Sequence, residues 1–144
     1  MTKEDKQLLL IDICARLPHG LKFRFELSDG SYRTIDLWRD TLINFDQEYC
    51  FWILRGDIIP YLRSMSSMTD EEKEELYDRG WLCEGNDIYA DGFLDINNVY
   101  QCYQKDLQDI KWIIDWLNAH HFDYRGLIHK GLALEAPEGM YKIE

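Results

Sequence analysis

Near the start of the chain, apolar residues recur at the spacing of one helical face. Thr2 followed by Asp5 approximates a capping box, in which each side chain bonds to the backbone N–H of the other residue. Pro18-His19-Gly20 then supplies residues that end helices. The sequence therefore predicts a first helix from Thr2 to about Leu17, with apolar positions at Leu9, Leu10, Ile13, Cys14 and Leu17.

Strict alternation of apolar and polar residues follows from Leu21 to Leu27, which is the period of a strand with one buried face. The turn at Ser28-Asp29-Gly30 admits a loop of two or of three residues. A three-residue loop places Phe23 beside Ile35 and Leu21 beside Leu37, whereas a two-residue loop sets apolar positions beside polar ones. We therefore predict a three-residue loop with Gly30 in the left-handed conformation.

The middle of the chain carries shorter signals. Tyr49–Leu54 is an aromatic and branched run that predicts a third strand, buried on both faces, in preference to a helix. Pro60 interrupts the apolar segment Ile58–Leu62, which indicates an extended connection or an edge strand. Residues 81–96 fit either a hairpin or an ordered loop.

Two further helices are predicted. Thr69 and Glu72 form a complete capping box, so a polar surface helix should run to about Arg79 and stop at Gly80, anchored by Leu76 and Tyr77. An apolar stripe then predicts a third helix from about Asn97 to His120, packed on the sheet. The predicted fold class is α+β, with one domain over residues 1–144. We expect a small antiparallel sheet, made of the N-terminal hairpin and at least one more strand. It should pack against about three helices, of which the longest lies near the C-terminus.

Composition narrows the function. The 144 residues are 46% hydrophobic and 14% aromatic, which is typical of an ordered globule. The formal charge of −11 disfavours direct binding to nucleic acid, because that binding depends on Lys and Arg. The acidic surface either serves solubility, the simpler explanation, or attracts a partner with a basic surface.

The expected compartment is the cytoplasm. The charged N-terminus leads into an apolar run that Asp12 and Arg16 interrupt, so we expect neither a signal peptide nor a membrane span. The cysteines are widely spaced, and free Cys is readily buried. We therefore predict that Cys14, Cys50, Cys83 and Cys102 are core residues, not disulfides or zinc ligands.

The densest polar cluster follows the third helix, at His120, His121, Asp123, Tyr124 and Arg125. Imidazole and carboxylate, with His129 as a further donor, suit a metal ion, and the guanidinium with the imidazoles suits an anion such as a nucleotide phosphate. A structural interpretation competes: histidines interact well with a helix C-terminus, and Asp123 suits the N-cap of a short helix over Tyr124–His129, ended by Gly131. We favour capping over a metal, because the spacing is not that of a metal motif, and keep the five residues as candidate ligand-binding groups.

Two other motifs give weaker indications of a functional site. Asp87–Asn98 resembles an EF-hand loop but has Tyr89 and Asn98 where two oxygen ligands are needed. Asp106, Asp109 and Asp115 are explained by a solvated helix face with Lys105 and Lys111 nearby. Because no catalytic signature surrounds any of these residues, we assign no catalytic residue, metal or cofactor, and do not favour an enzyme.

Three segments carry a resemblance to a known family. They are Thr2–Lys6 with Leu8–Leu10, Pro60–Thr69 with the acidic helix after it, and Trp116–Ile128 through Gly131–Tyr141. They resemble a family of small uncharacterised proteins of gut Bacteroides-type bacteria, often carried on phages or mobile elements, and cover less than half of the chain. The resemblance implies an origin but no activity, cofactor or catalytic residue.

These observations lead to one main hypothesis and two alternatives. The main one is a cytoplasmic, acidic, non-catalytic protein that binds a protein partner, as an accessory or host-modulating factor of a phage or mobile element. The first alternative is a small-ligand or nucleotide-binding protein with an anion site near His120–Arg125. The second is a metal-dependent enzyme. None of the three requires a membrane.

Overall fold

The computed structural model describes residues 1–37, 58–79, 81 and 107–141. The elements are α1 (Lys3–Arg16), a 3-10 turn (Leu17–His19), β1 (Leu21–Glu26), β2 (Tyr32–Leu37), β3 (Ile58–Leu62), a 3-10 turn (Met65–Ser67), α2 (Asp70–Asp78), α3 (Leu107–Ala119) and β4 (Leu134–Glu135). The α+β prediction is confirmed, including the N-terminal hairpin and a further strand. Tyr49–Leu54, the 82–96 segment and the EF-hand-like segment 87–98 lie outside the described residues.

Helix α1 begins and ends where its sequence predicts. The Thr2 hydroxyl accepts from Asp5 N at 3.0 Å, and Thr2 N donates to the Asp5 carboxylate at 3.1 Å, which completes the capping box. The core prediction for Cys14 is wrong, because this residue is exposed. Leu9 and Ile13 are four residues apart and share the buried face, whereas Cys14 lies one position, about 100°, further round the helix. Cys50, Cys83 and Cys102 lie in ranges that are not described.

The hairpin has the predicted register. Leu21 pairs with Leu37 and Phe23 with Ile35. Leu27 N donates to Ser31 O at 2.8 Å, which closes a three-residue loop, and Gly30 has φ +85°. The side chains of Leu21 and Phe23 are fully buried. The alternation therefore fixed both the loop length and the buried face.

Strand β3 corrects two expectations. The strand order is β2-β1-β3-β4, so Ile58–Leu62 is an interior strand of the described sheet, not a connection or an edge. The sheet is mixed, because β3 pairs antiparallel with β1 and parallel with β4. Pro60 lies opposite Phe23, and β4 pairs with β3 only from Tyr61 onward. Because β4 begins to pair only at Tyr61, no β4 residue lies opposite Pro60 and needs the N–H that a proline lacks.

Helices α2 and α3 match their sequence predictions in part. Thr69 N donates to Glu72 at 2.9 Å and Glu72 N donates to the Thr69 hydroxyl at 3.2 Å, so this capping box is also confirmed. Leu76 is fully buried, as predicted. Within the described residues α1 has 14 residues and α3 has 13, so the expectation that the longest helix lies near the C-terminus is wrong. The predicted first part of α3, residues 97–106, lies outside the described ranges.

The buried side chains form two clusters. In the first, α1 packs on the sheet and on the turn after α3, through Leu9, Ile13, Leu17, Leu21, Phe23, Ile58, Leu62, Leu127, Leu132 and Ala133. In the second, Leu76 of α2 and residues flanking that helix pack with residues of α3 and of the turn after it. The members are Met65, Met68, Leu76, Trp81, Ile113, Trp116, Leu117, Phe122 and Tyr124. No helix in the described ranges has the length and apolar character that crossing a membrane requires.

Candidate functional site

Helix α3 ends in a Schellman motif built on His121. His121 N donates to Asn118 O at 3.1 Å and Phe122 N donates to Leu117 O at 3.0 Å. His121 has φ +61°, and it is the one non-glycine residue with positive φ in the described part of the chain. Left-handed backbone disfavours a side chain by about 1–2 kcal/mol, so the imidazole must be held by its surroundings.

The His121 ring is held by Tyr141. The two ring centroids are 4.0 Å apart, and His121 is 3% exposed. Burial, followed by the charge of Arg16, lowers the pKa of His121 from 6.5 to about 3. The ring is therefore neutral near pH 7, and it caps α3 through its backbone conformation and not through the positive charge that the sequence argument invoked.

Asp123 organises the turn that follows. Its two carboxylate oxygens accept from Leu127 N at 2.8 Å and Ile128 N at 2.9 Å. The short helix expected over Tyr124–His129 is absent: residues 124–126 have no regular structure, Gly126 has φ +78°, and a turn follows from Leu127. The capping role of Asp123 is therefore present, but it serves a turn.

Tyr124 and Arg125 belong to a buried ionic network centred on Asp12. Arg16 donates to both oxygens of Asp12, from Nε at 2.8 Å and from Nη2 at 3.0 Å, and Arg125 Nε donates to Asp12 Oδ1 at 3.1 Å. Arg125 Nη2 also donates to the Tyr124 hydroxyl at 3.0 Å, and that hydroxyl donates to Asn118 at 2.9 Å. Asp12 and Arg16 are both 0% exposed.

In the sequence, Asp12 and Arg16 stand out only as interruptions of an apolar run. A usable signal was present, because opposite charges four residues apart share a helix face. Positions 12 and 16 also lie on the face marked by Leu9 and Ile13. Two charges on the buried face of an amphipathic helix predict an internal ion pair.

Of the five predicted ligand-binding residues, one lines the surface cleft that is described below. His120, whose Nδ1 lies 2.8 Å from Trp116 O and whose ring stacks on Trp116 at 4.0 Å, lines a surface cleft. His121, Asp123, Tyr124 and Arg125 are absent from the cleft lining and have the internal contacts described above. Ligand binding by the five residues as a set stays a prediction.

The cleft lies between α2 with the residues before it and the segment after β4, and has a volume of about 710 Å³. Five of its thirteen lining residues are glutamates. Arg63, His120 and Tyr141 contribute the cationic and aromatic groups, and the acidic residues are Glu71, Glu72, Glu75, Glu135 and Glu138. We call it the acidic cleft.

One of the five carboxylates is neutralised internally. Arg63 donates to both oxygens of Glu72, each at 2.7 Å, and its guanidinium lies 4.2 Å from the centre of the Phe122 ring. Burial on its own would raise the pKa of Glu72, but the hydrogen bonds from Arg63 and Thr69 outweigh it and hold that pKa below its usual value. Arg63 and Glu72 therefore form an ion pair at the side of the cleft.

The other four carboxylates have no such partner within the described ranges. Glu71, Glu75, Glu135 and Glu138 are exposed, and no described residue forms an ion pair with any of them. Arg63 is the one Lys or Arg in the described lining, and its charge is matched by Glu72. The arrangement can attract cations. The described ranges contain no group of three or more His, Cys, Asp or Glu side chains placed to hold a metal ion.

The sequence did not point to this cleft. Its two walls come from α2 and from residues 135–139, which are distant in the chain. Comparisons with protein-family models, with curated proteins and with solved structures find no match to this chain.

Proposed function

We propose that the protein is a non-catalytic binding protein whose acidic cleft receives a basic segment of a partner protein. The observation that carries this proposal is the set of four exposed carboxylates, Glu71, Glu75, Glu135 and Glu138, that surround one cleft without a cationic partner among the described residues. A partner that brings Lys or Arg side chains supplies the missing charges.

The cleft is large enough to receive part of a ligand. Pockets for small molecules commonly measure about 300–1,000 Å³, and this cleft, at about 710 Å³, lies within that range. Charges within roughly 10 Å act together at moderate ionic strength. The formal charge of −11 also favours encounter with a basic partner.

An anion is the poorer fit. A phosphate in the cleft would meet four unmatched carboxylates, and Arg63 already binds Glu72. The alternative anion site near His120–Arg125 would require Arg125 to leave Asp12 and Tyr124. Removing Arg125 from Asp12 would weaken a buried ion network, which costs free energy.

The proposal includes a setting for this activity. The resemblance of the sequence to small proteins of gut Bacteroides-type bacteria supports an accessory or host-modulating factor of a phage or mobile element. The proposed location is the cytoplasm. The partner is then a host or phage protein with a basic exposed segment.

Isothermal titration calorimetry with a short peptide rich in Lys and Arg tests the proposal, with an acidic peptide of equal length as the negative control. Binding of the basic peptide should weaken as salt is raised. In the variant Glu71→Gln/Glu75→Gln, affinity should fall by roughly two- to thirtyfold, because each exposed ion pair contributes about 0.2–1 kcal/mol.

The matched control is Glu74→Gln/Asp78→Asn. These residues lie on the same helix, α2, with the same spacing and the same change in charge, but outside the cleft lining. The control should bind the basic peptide like the wild type. The proposal fails if the basic peptide does not bind, or if the two double variants lose affinity equally, since the effect would then reflect net charge and not the cleft.

A further inference from the structure

The segment after β4 forms one wall of the acidic cleft and is fixed to the body at its two ends. We call Ala136–Tyr141 the C-terminal strap. At its start, Ala136 N donates to Leu62 O at 2.7 Å. Between these two ends, the strap has a backbone hydrogen bond within itself, from Met140 N to Pro137 O at 3.1 Å. Glu138 and Gly139, which line the cleft, lie within this turn.

Tyr141 makes the contacts at the far end of the strap. Its hydroxyl accepts from Lys22 N at 2.9 Å and donates to Tyr61 O at 2.7 Å, so it bonds to β1 and to β3. Its ring stacks on His121 at 4.0 Å. Burial raises the pKa of Tyr141, which keeps the phenol protonated and able to donate.

His121, on whose ring Tyr141 stacks, is buried and has an uncommon backbone conformation. His121 is 3% exposed, and its Nδ1 has no hydrogen-bond partner in the described structure. Its backbone has φ +61°, a conformation for which glycine is the usual residue at the end of a helix. The left-handed backbone at His121 and the stacking of its ring on Tyr141 place the end of α3 in direct contact with the strap.

We infer that Tyr141 is a positioning residue for the acidic cleft: docked on His121, Lys22 and Tyr61, it holds the strap in the place where Glu138 faces the glutamates of α2. The inference rests on the proposed function for its ligand, a basic peptide. The docking of Tyr141 holds the strap whether or not a ligand is bound. When Tyr141 undocks, the wall that carries Glu138 and Gly139 is free to move away from α2.

Two variants separate positioning from direct contact with the ligand. Tyr141→Phe keeps the aromatic ring but removes the hydroxyl that bonds to β1 and β3. His121→Gly keeps a residue suited to the left-handed backbone and removes the ring beneath Tyr141. Tyr32→Phe is the matched control, because Tyr32 is 57% exposed on β2, away from the cleft lining.

The first readout is amide hydrogen exchange at Met140 without ligand, measured against amides of β1. Exchange at Met140 should become faster in Tyr141→Phe and His121→Gly, and stay unchanged in Tyr32→Phe. The second readout is the Kd for the Lys- and Arg-rich peptide. If the strap is docked for only a tenth of the time, the apparent affinity falls about tenfold.

The outcomes distinguish this inference from the proposed function. Faster exchange at Met140 in both variants, with weaker peptide binding, supports the inference and the proposed function together. If exchange rises but the wild type binds no basic peptide, the strap is positioned as inferred and the proposed function is wrong. If both variants keep the exchange rate of Met140 and the Kd of the wild type, Tyr141 does not position the strap and the inference is overturned.

Discussion

Replacing Asp12 by Asn should destabilise the fold far more than removing an exposed carboxylate of the same kind. Asp12 accepts two hydrogen bonds from Arg16 and one from Arg125, and Asp12 and Arg16 are completely buried. Asn has nearly the same shape but no charge. The substitution therefore leaves the guanidinium of Arg16 inside the protein without its counterion.

The expected magnitude follows from burial. Breaking a buried ion pair from one side costs about 3–5 kcal/mol, since the remaining charge stays desolvated. Arg16 keeps a hydrogen bond of 2.6 Å to Phe122 O, but Nη1 already lacks a partner in the described structure. A chain of this length should then melt roughly 10 °C lower or more.

Asp115→Asn is the matched control. Asp115 pairs with Lys111 at 3.2 Å with the same four-residue spacing, but its side chain is 61% exposed and that of Lys111 is 76% exposed. Such a pair contributes less than about 1 kcal/mol. Urea unfolding should show a much lower midpoint for Asp12→Asn at an unchanged m-value, and little change for Asp115→Asn. Equal midpoints for the two variants would refute a stabilising role for the buried network.

Two further predictions concern His121 and the hairpin. Because the pKa of His121 is about 3 in the folded protein against 6.5 in the unfolded chain, the unfolded chain binds more protons between these values. The stabilising effect of the neutral ring is present above about pH 6.5 and is lost as pH falls, by about 2 kcal/mol between pH 7 and pH 5. Urea midpoints at the two pH values should show this loss in the wild type and a smaller one in His121→Asn; equal losses would mean that the ring is not kept neutral by folding. Gly30→Val should lower the melting temperature, because φ is +85°, and the cost should be about 1–2 kcal/mol from backbone strain alone, since no atom lies within 4 Å of an added Cβ. Gly30→Asn, which tolerates this conformation better, should cost less, and an equal cost would exclude strain as the cause.

Local features of the fold were predictable from the sequence. The hairpin register followed from the alternation in β1 and β2, because a slip of one residue would expose the whole apolar set. The capping boxes at Thr2 and Thr69 followed from residues three positions apart. Each of these depends on contacts within a short stretch of chain.

The features that the sequence did not predict depend on distant contacts. Pro60 indicated an edge, but β4, which follows α3, pairs with the far side of β3. The missing helix after Asp123 is a local exception, because Gly126 takes a positive φ within that segment. The acidic cleft brings α2 and the C-terminal strap together, and no periodicity within either segment indicates the other.

A heteronuclear NMR titration with the Lys- and Arg-rich peptide tests the central claim most directly, because it locates the contact. The account predicts that amide shifts change most along the cleft walls, at Glu71, Glu75 and Glu135–Gly139. Changes that centre on Asp123–Arg125 and Asp12 instead, or no changes along the cleft at peptide concentrations that saturate binding, would contradict it.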